Sequence, residues 1–340
     1  MTSSKSDVVL LFGGQSPEHD VSCTSASHVY SAIPKDRYSV TLVGIDQSGN
    51  WHKCLLPDES LPLKEPLLVS GATITPDELF TLSADSKPIV FPVLHGPNGE
   101  DGTIQGLLET FEVPYVGSGV LSSALCMDKI KSKEILSAHG IPQVSWMSFH
   151  AEDLASASET IENSSLEFPL FVKPANMGSS IGVSKVLSIA DLGNAIATAR
   201  NYDTWIIVEE FSPGREIEVA LLETKYLTIS KPGEIVPGAD FYDYDDKYDD
   251  GATLHVPAEL SDSEIATVQS LAEDVFKLMR CKSLARIDFF YEPEGAGWLV
   301  NEINTMPGFT PISMYPKLWQ ESGISYEDLI VKLLESASKE

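Results

Sequence analysis

Basic residues are scarce in this chain: 23 lysines and arginines stand against 50 aspartates and glutamates, a formal charge of −27 over 340 residues. Such a surface repels phosphate backbones and anionic membranes, so neither nucleic acid nor a membrane is an expected partner. Cysteine is sparser still. Cys23, Cys54, Cys126 and Cys281 stand singly, without metal-ligand spacing, and read as packing positions in a protein of a reducing compartment. No apolar run approaches the ~20 residues of a membrane-spanning helix. The five apolar residues before Gly13-Gly14 are too few for a secretory leader. We therefore expect a cytoplasmic protein. Repeats and low-complexity tracts are also missing, which leaves solenoids and disordered arrays aside. What remains, 43% apolar residues with 21 prolines spread along the chain, is the profile of a globular enzyme of two or three units.

The most informative stretch is LARIDFFYEPEGAGWLVNEINTMPG, Leu284 to Gly308. Alternating runs from Leu284 to Tyr291 and from Trp298 to Thr305 flank a Pro/Glu/Gly turn and predict a β-hairpin. Period-2 geometry places Arg286 and Asp288 on one face, Ile287 and Phe289 on the other, and groups Glu302 with Asn304. A turn near Gly295 sets Asp288 opposite Glu302, and like charges facing each other destabilise a hairpin. Something cationic should lie there. Oxygen ligands without Cys or His suit a hard ion such as Mg²⁺. The plainer alternative is a surface hairpin with solvated acids.

Elsewhere the chain alternates strands and helices. Val8 to Phe12, GGQSPEHD and a Ser-rich helix from about Ser22 to Ile33 form a strand, turn and helix; Tyr38 to Ile45 and Pro88 to Leu94 add strands, the latter leading into HGPNGEDG and a helix from Thr103 to Phe111. Gly-rich loops at the carboxyl ends of such strands are where ligands bind, although GGQSPE alone could be a simple tight turn. Gly117-Ser118-Gly119 marks a boundary. Leu121 to His139 reads as one helix carrying Lys129, Lys131 and Lys133, and we read Lys131 and Lys133 as solvated. Phe168 to Lys173 and Ile181 to Val186 are strands joined by PANMGSS, whose small residues can lie over a phosphate or form a plain hairpin loop. Lys173, closing an apolar strand, needs an anion. WIIVEEF from Trp205 to Phe211 and a further strand from Ile217 to Leu222 flank SPGRE. The irregular segment from Lys231 to Pro257 is too long for a passive loop and too aromatic for disorder, so we read it as a lid with Lys247 and Tyr248 at its tip. Helices follow from Ser261 to Arg280, with a capping box at Ser261 and Glu264, and from Gly323 to Ala337.

With GGQSPEHDVS, VLHGPNGEDGTIQG, MDKIKSK, VKPANMGSSIGVSKV, DFYDYDDKY, RIDFF and NEINTMPGF in order, the chain resembles the D-alanine–D-alanine ligases of the ATP-grasp superfamily nearly end to end. The resemblance implies an α/β fold of three domains: 1–118, a central ATP-grasp domain 119–209, and a C-terminal domain 210–340 carrying the metal site and the lid 231–257. ATP would lie between the last two domains. The family pattern makes Lys129 and Lys173 phosphate ligands, puts Ser179 and Ser180 in the covering loop, and gives Glu209 and Glu216 the adenine and ribose, with Glu210, Phe211, Ser212, Lys247 and Asn301 completing the nucleotide contacts. Asp288, Glu302 and Asn304 match the ligands of two Mg²⁺ ions, for which Mn²⁺ can substitute. Glu18 matches the partner of the first D-alanine's ammonium, with His95 near its carboxylate; Ser313 and Met314 match contacts to the second. Arg286 and the Gly308 N–H match the groups receiving negative charge, and Tyr248, Ser179 and Glu18 match a triad that closes the lid. Asp20 stands where relatives often have Glu, and Met177 occupies a variable position. The implied reaction forms an acyl phosphate from D-alanine and ATP and then the dipeptide for peptidoglycan, in a homodimer. Alternatives are a D-serine or D-lactate second substrate, another ATP-grasp carboxylate–amine ligase, and a silent nucleotide-binding module.

Overall fold

The computed structural model describes residues 5–56, 65–80, 87–238 and 252–338. Three sheets come from three consecutive stretches of chain. The first has the order β4-β3-β2-β1-β5, built from β1 (Ser6–Gly13), β2 (Tyr38–Ile45), β3 (Trp51–Lys53), β4 (Ala72–Ile74) and β5 (Ile89–Val93). Its central strands β2, β1 and β5 run parallel, and the runs 8–12 in β1 and Ile89–Val93 in β5 are continuously apolar and buried, as in strands covered on both faces. The Ser-rich helix α1 (His19–Ala32) crosses this sheet, and its serines stitch the strand ends together. Ser22 Oγ accepts from the Gly13 N–H at 2.8 Å and donates to the Val93 carbonyl. Two short helices belong to this part, α2 (Pro76–Phe80) and α3 (Thr103–Thr110).

The expected single helix from Leu121 to His139 is two, α4 (Val120–Met127) and α5 (Lys129–Ala138). Asp128 breaks it: its backbone is extended at ψ 100° and its carboxylate caps α5, accepting from the Ile130 and Lys131 N–H groups at 3.0 Å. An N-terminal cap of this kind is worth ~1 kcal/mol, enough to fix the break.

The second sheet, antiparallel, has the order β6-β9-β7-β8 from β6 (Trp146–His150), β7 (Leu170–Pro174), β8 (Ser184–Val186) and β9 (Trp205–Glu210), with α6 (Leu154–Glu162) and α7 (Ile189–Ala199) belonging to the same stretch. β8 begins three residues later than expected, because Ser179 and Ser180 adopt left-handed backbone at φ 49° and 58°. The third sheet has the order β13-β12-β10-β14-β15, from β10 (Arg215–Glu223), β12 (Gly233–Val236), β13 (Thr253–His255), β14 (Leu284–Glu292) and β15 (Gly297–Asn304), with β11 (Leu227–Ile229) beside β10. α8 (Asp262–Leu278) covers its apolar face and carries both halves of the Ser261/Glu264 capping box.

Two readings change here. The segment from Lys231 to Pro257 is not irregular throughout: Ile235 pairs with Leu254 and Glu234 with His255, and Arg215 grips Glu234 through two bonds of 2.8 and 2.7 Å. Three- and four-residue strands are too short to show a period, and the edge of β10 supplies what they lack. The tip, 239–251, lies outside the described residues, and with it Lys247 and Tyr248. Lys133, read as solvated, is 2% exposed. Residues four apart share a helix face, so Lys133 turns inward with Lys129 while Lys131 faces solvent and pairs with Glu134 at 2.8 Å.

The chain closes on itself. Helices α9 (Met314–Glu321) and α10 (Tyr326–Ala337) return to the first sheet, where Phe309, Tyr315, Leu318 and Trp319 join Phe12, Phe91 and Ile33 in one core. Phe309 meets Phe91 edge-on at 5.6 Å and Tyr315 at 5.7 Å. Each such ring, fully buried, contributes roughly 1.5–3 kcal/mol, so the first and last segments hold each other.

Candidate active site

The hairpin β14–β15 forms in the expected register, with Asp288 opposite Glu302 and Arg286 opposite Asn304. Protein cations settle the repulsion. Arg286 donates to both oxygens of Asp288 at 2.7 Å and lies 3.0 Å from Glu218 on β10, while Lys129 Nζ stands 3.9 Å from Glu302. Asn304 adds a bond to Asp288 at 2.9 Å. Burial alone would lower the Arg286 pKa, but Asp288 and Glu218 hold it well above its ordinary value. Strict alternation would turn Asn301 away from Glu302. The ladder slips one residue between Asp288 and Phe289, so Phe289 faces Val300 and Asn301 is left unpaired. That bulge lets Asn301 and Glu302 line the same cleft.

The cleft, about 380 Å³, separates the second sheet from the third. Its walls bring together Lys129, Lys173, Ser179, Ser180, Glu209, Glu210, Phe211, Ser212, Glu216, Asp288, Asn301 and Glu302. Glu210 to Gly214 is the crossing between the sheets, since β9 and β10 belong to different ones. Lys173 Nζ lies 2.5 Å from Glu209 Oε2, and Lys133 Nζ reaches Oε1 at 3.1 Å. Burial pushes the Glu209 carboxyl up, but the two lysines outweigh it and bring it down to about 2. Lys173 is also buried, yet Glu209 keeps its pKa above the ordinary value. Lys129 donates to the Met177 carbonyl at 2.6 Å and so ties α5 to the loop after β7.

A second cavity of about 100 Å³ adjoins the cleft and shares Gly178, Ser179, Arg286 and Glu302 with it. Glu18, at the start of α1, is 6% exposed and takes a hydrogen bond from Ser179 through Oε1. Its other oxygen, Oε2, is buried without a hydrogen-bond partner among the described residues. A Cβ on Gly96 or Gly178 would sit 2.6 or 2.7 Å from that oxygen, so both glycines keep the space in front of it open. His95 is buried and held from both ends of the chain: Nδ1 lies 3.1 Å from the Met306 carbonyl and Nε2 3.2 Å from Ser25 Oγ, which also accepts from the Phe309 N–H. Burial lowers the His95 pKa, opposed by Glu18. The neutral ring then donates to Met306 and accepts from Ser25. Gly308, Ser313 and Met314 complete the wall. Ser313 Oγ would stand 2.6 Å from a Gly308 Cβ and accepts from the Thr310 N–H at 3.0 Å.

Two acidic residues of the cavity, Glu100 and Glu218, were missed by sequence reasoning. Glu100 accepts from the Gly96 N–H at 2.8 Å, and burial, with Glu18 and Glu302 nearby, raises its carboxyl to about 8. Its place in HGPNGEDG, within the loop that carries His95, was the available signal. Among the described residues no three His, Cys, Asp or Glu side chains gather around one metal position. The hard oxygens of Asp288, Glu302 and Asn304 still fit a divalent ion that takes the rest of its shell from phosphate and water.

The cleft between two antiparallel sheets carries both lysines and acids and opens onto a cavity with a carboxylate oxygen that has no hydrogen-bond partner among the described residues, an arrangement that fits an ATP-grasp ligase. Family models for the D-ala D-ala ligase N-terminus and C-terminus match residues 7–118 and 135–335. Solved structures agree. The D-alanine-D-alanine ligase of Coxiella burnetii is 34% identical with a TM-score of 0.83, over 98% of this chain and 94% of that one. The VanG D-Ala:D-Ser ligase of Enterococcus faecalis is 33% identical with a TM-score of 0.82, over 98% and 100%. The D-alanyl-alanine synthetase A of Vibrio cholerae O1 is 31% identical with a TM-score of 0.82, over 100% of both chains. The chain belongs to the D-alanine–D-alanine ligase family, whose members are ATP-dependent and use a divalent metal and D-alanine. No helix among the described residues is long and apolar enough to cross a membrane.

Proposed function

We propose that the protein joins two D-alanines at the expense of ATP, in the cytoplasm, as a step of peptidoglycan precursor synthesis. One observation carries this reading: the buried Glu18 Oε2, without a hydrogen-bond partner among the described residues, faces a cavity sized for an amino acid, next to the acidic hairpin. A buried carboxylate oxygen without a partner is costly, and an ammonium group offers what it lacks.

In this reading the triphosphate lies along Lys129, Lys173 and the Ser179-Ser180 turn, and the adenosine meets Glu209, Glu216 and the 210–212 backbone, with Asn301 and Lys247 beside it. Asp288, Glu302 and Asn304 hold two Mg²⁺ ions, or Mn²⁺, which supply charge neutralisation for phosphoryl transfer. Glu18 binds the first D-alanine's ammonium and His95 lies by its carboxylate, which attacks the γ-phosphate. The second amine then attacks the acyl phosphate carbonyl. The Gly308 N–H and the part of the Arg286 guanidinium not engaged by Asp288 and Glu218 receive the developing oxyanion. The division at 118/119 and 209/210, a lid over 231–257 closed by Tyr248, Ser179 and Glu18, and a homodimer belong to the same proposal.

Tyr248 favours an amine, and so D-alanine, over D-lactate as the second substrate, because relatives that make the D-alanine–D-lactate ester commonly lack a tyrosine at the matching lid position. Met314 lines the cavity, whereas Tyr315 turns away from it, fully buried with its hydroxyl 3.0 Å from the Leu221 carbonyl. D-serine is the second reading, since an apolar wall rejects one added hydroxyl poorly. The test is ADP release and product composition from ATP with D-alanine, D-serine and D-lactate in competition. D-Alanyl-D-alanine as the main product is expected. ADP release that ignores D-alanine would overturn the proposal, and a Tyr248→Phe variant with an unchanged ester-to-dipeptide ratio would remove Tyr248 from it.

A further inference from the structure

We propose that Lys133 is a positioning residue for nucleotide binding: it holds the Glu209 carboxylate in place so that Lys173 is free to leave it for the phosphates. The inference rests on the reading that ATP occupies the cleft between the second and third sheets.

Three charges form one buried chain. Glu209 spends one oxygen on Lys133 at 3.1 Å and the other on Lys173 at 2.5 Å. The side chains of Glu209 and Lys133 are 3% and 2% exposed, that of Lys173 16%. Two ammonium groups against one carboxylate leave the trio with an excess positive charge on its solvent side, which is the side of the cleft. Lys173 lines the cleft. Lys133 comes up behind the wall from α5, one turn beyond Lys129, and is too deeply buried to meet a ligand.

The asymmetry gives the lysines different work. When Lys173 turns to a phosphate, Glu209 loses one of its two partners. A buried carboxylate stripped of every cation is penalised by several kcal/mol, so without Lys133 the carboxylate would retain Lys173 and compete with the triphosphate for it. With Lys133 in place Glu209 remains ionised and fixed, and its free oxygen turns toward the nucleotide. Lys129 and Lys173 both face the Lys133 ammonium from the cleft side, and Glu209 is its counter-charge.

The experiment measures binding of ATP with Mg²⁺ by calorimetry and steady-state kinetics on the full chain for wild type, Lys133→Met, Lys133→Arg, Glu209→Gln and the double variant Lys133→Met/Glu209→Gln. Lys133→Met is expected to weaken ATP binding about tenfold or more, the usual scale for breaking a buried charge pair, with the KM for D-alanine unchanged within about twofold. Lys133→Arg restores most of the loss. With Glu209→Gln already present, Lys133→Met adds no further loss, since the charge it serves is gone. Lys133→Met that binds ATP like wild type, or a loss of the same size in the Glu209→Gln background, overturns the inference. If Lys133→Met does not fold, the double variant decides: a folded protein that binds ATP as Glu209→Gln does supports the inference, and one that binds more weakly overturns it. A wild-type protein that binds no ATP overturns the nucleotide reading itself.

Discussion

The cleft and the adjoining cavity share a wall, yet they are assembled in opposite ways. The cleft takes its lining from residues between Lys129 and Glu302, in strands and turns that recur as short motifs along the middle of the chain. The cavity joins Glu18 to Met314 and exists only because the last two helices return to the first sheet. In the cleft, opposite charges already pair with each other: Arg286 with Asp288, and Lys173 and Lys133 with Glu209. The cavity instead keeps a carboxylate oxygen without a hydrogen-bond partner among the described residues and a raised carboxyl at Glu100. A site for a mobile polyanion can rest with its charged groups paired among themselves and a surplus of positive charge toward the cleft. A site that must recognise a small zwitterion keeps its mismatch standing.

The sharpest way to break this comparison is to remove a charge from the shared hairpin. Asp288→Asn is expected to reduce turnover by at least about a hundredfold, because charge neutralisation at the phosphates supplies several kcal/mol, while circular dichroism shows an intact fold. Activity near wild type would take the hairpin out of the site. Next in size, Glu18→Gln should act on the cavity alone, raising the D-alanine KM by roughly 10–100-fold, in line with the loss of one member of a buried charge pair. ATP affinity stays the same in this case, and a matching loss of ATP binding would show that the two compartments are not separable. Gly178→Ala places a Cβ 2.7 Å from Glu18 Oε2. Overpacking on that scale typically costs 1–3 kcal/mol, so a loss of about tenfold in kcat/KM for D-alanine is expected, and an unaltered value would mean that the cavity yields.

The smallest effect is on stability, and its sign separates the two sites. Glu100 has its carboxyl raised from 4.5 to about 8. It is neutral in folded and unfolded chains below about pH 4.5, and its cost to the fold grows as pH rises toward 8. Glu100→Gln should therefore raise Tm by about 2 °C at pH 9 and leave it unchanged at pH 4. Glu209 has the opposite sign. Lowered from 4.5 to about 2, it stabilises the fold above about pH 4.5 and loses that contribution as pH falls toward 2. Thermal melts of Glu209→Gln should show a flatter acid limb than wild type, and a steeper one would reverse the assignment.

Much of the cleft was legible from local pattern. Alternation in RIDFF and NEIN put Asp288 opposite Glu302, and the register is as expected. The single unpredicted feature on that ribbon is the bulge at Asn301, since a period of two carries no signal for a one-residue slip. Lys133 failed for a different reason. On an isolated helix a lysine reads as solvated, and only the arrival of Glu209 from another sheet makes its burial affordable. The edge strands β12 and β13 are three or four residues long, too short to announce themselves before they find a partner. Lys247 and Tyr248 lie outside the described residues, so the reading of the lid tip stands where the resemblance left it.

What the amino-acid order determined by itself is the chemistry available: strand periods, the capped helices, glycines where backbone must approach a ligand, and an oxygen-rich hairpin with lysines upstream. These are interactions between near neighbours, and they repeat wherever the same short pattern occurs. What the tertiary structure alone decided is which of those groups meet. His95 touches Ser25 and Met306, Glu18 meets Ser179, and Glu209 lies between two lysines because the apolar faces of distant segments bury one another. The burial that drives this assembly is non-directional, so no local pattern encodes its outcome.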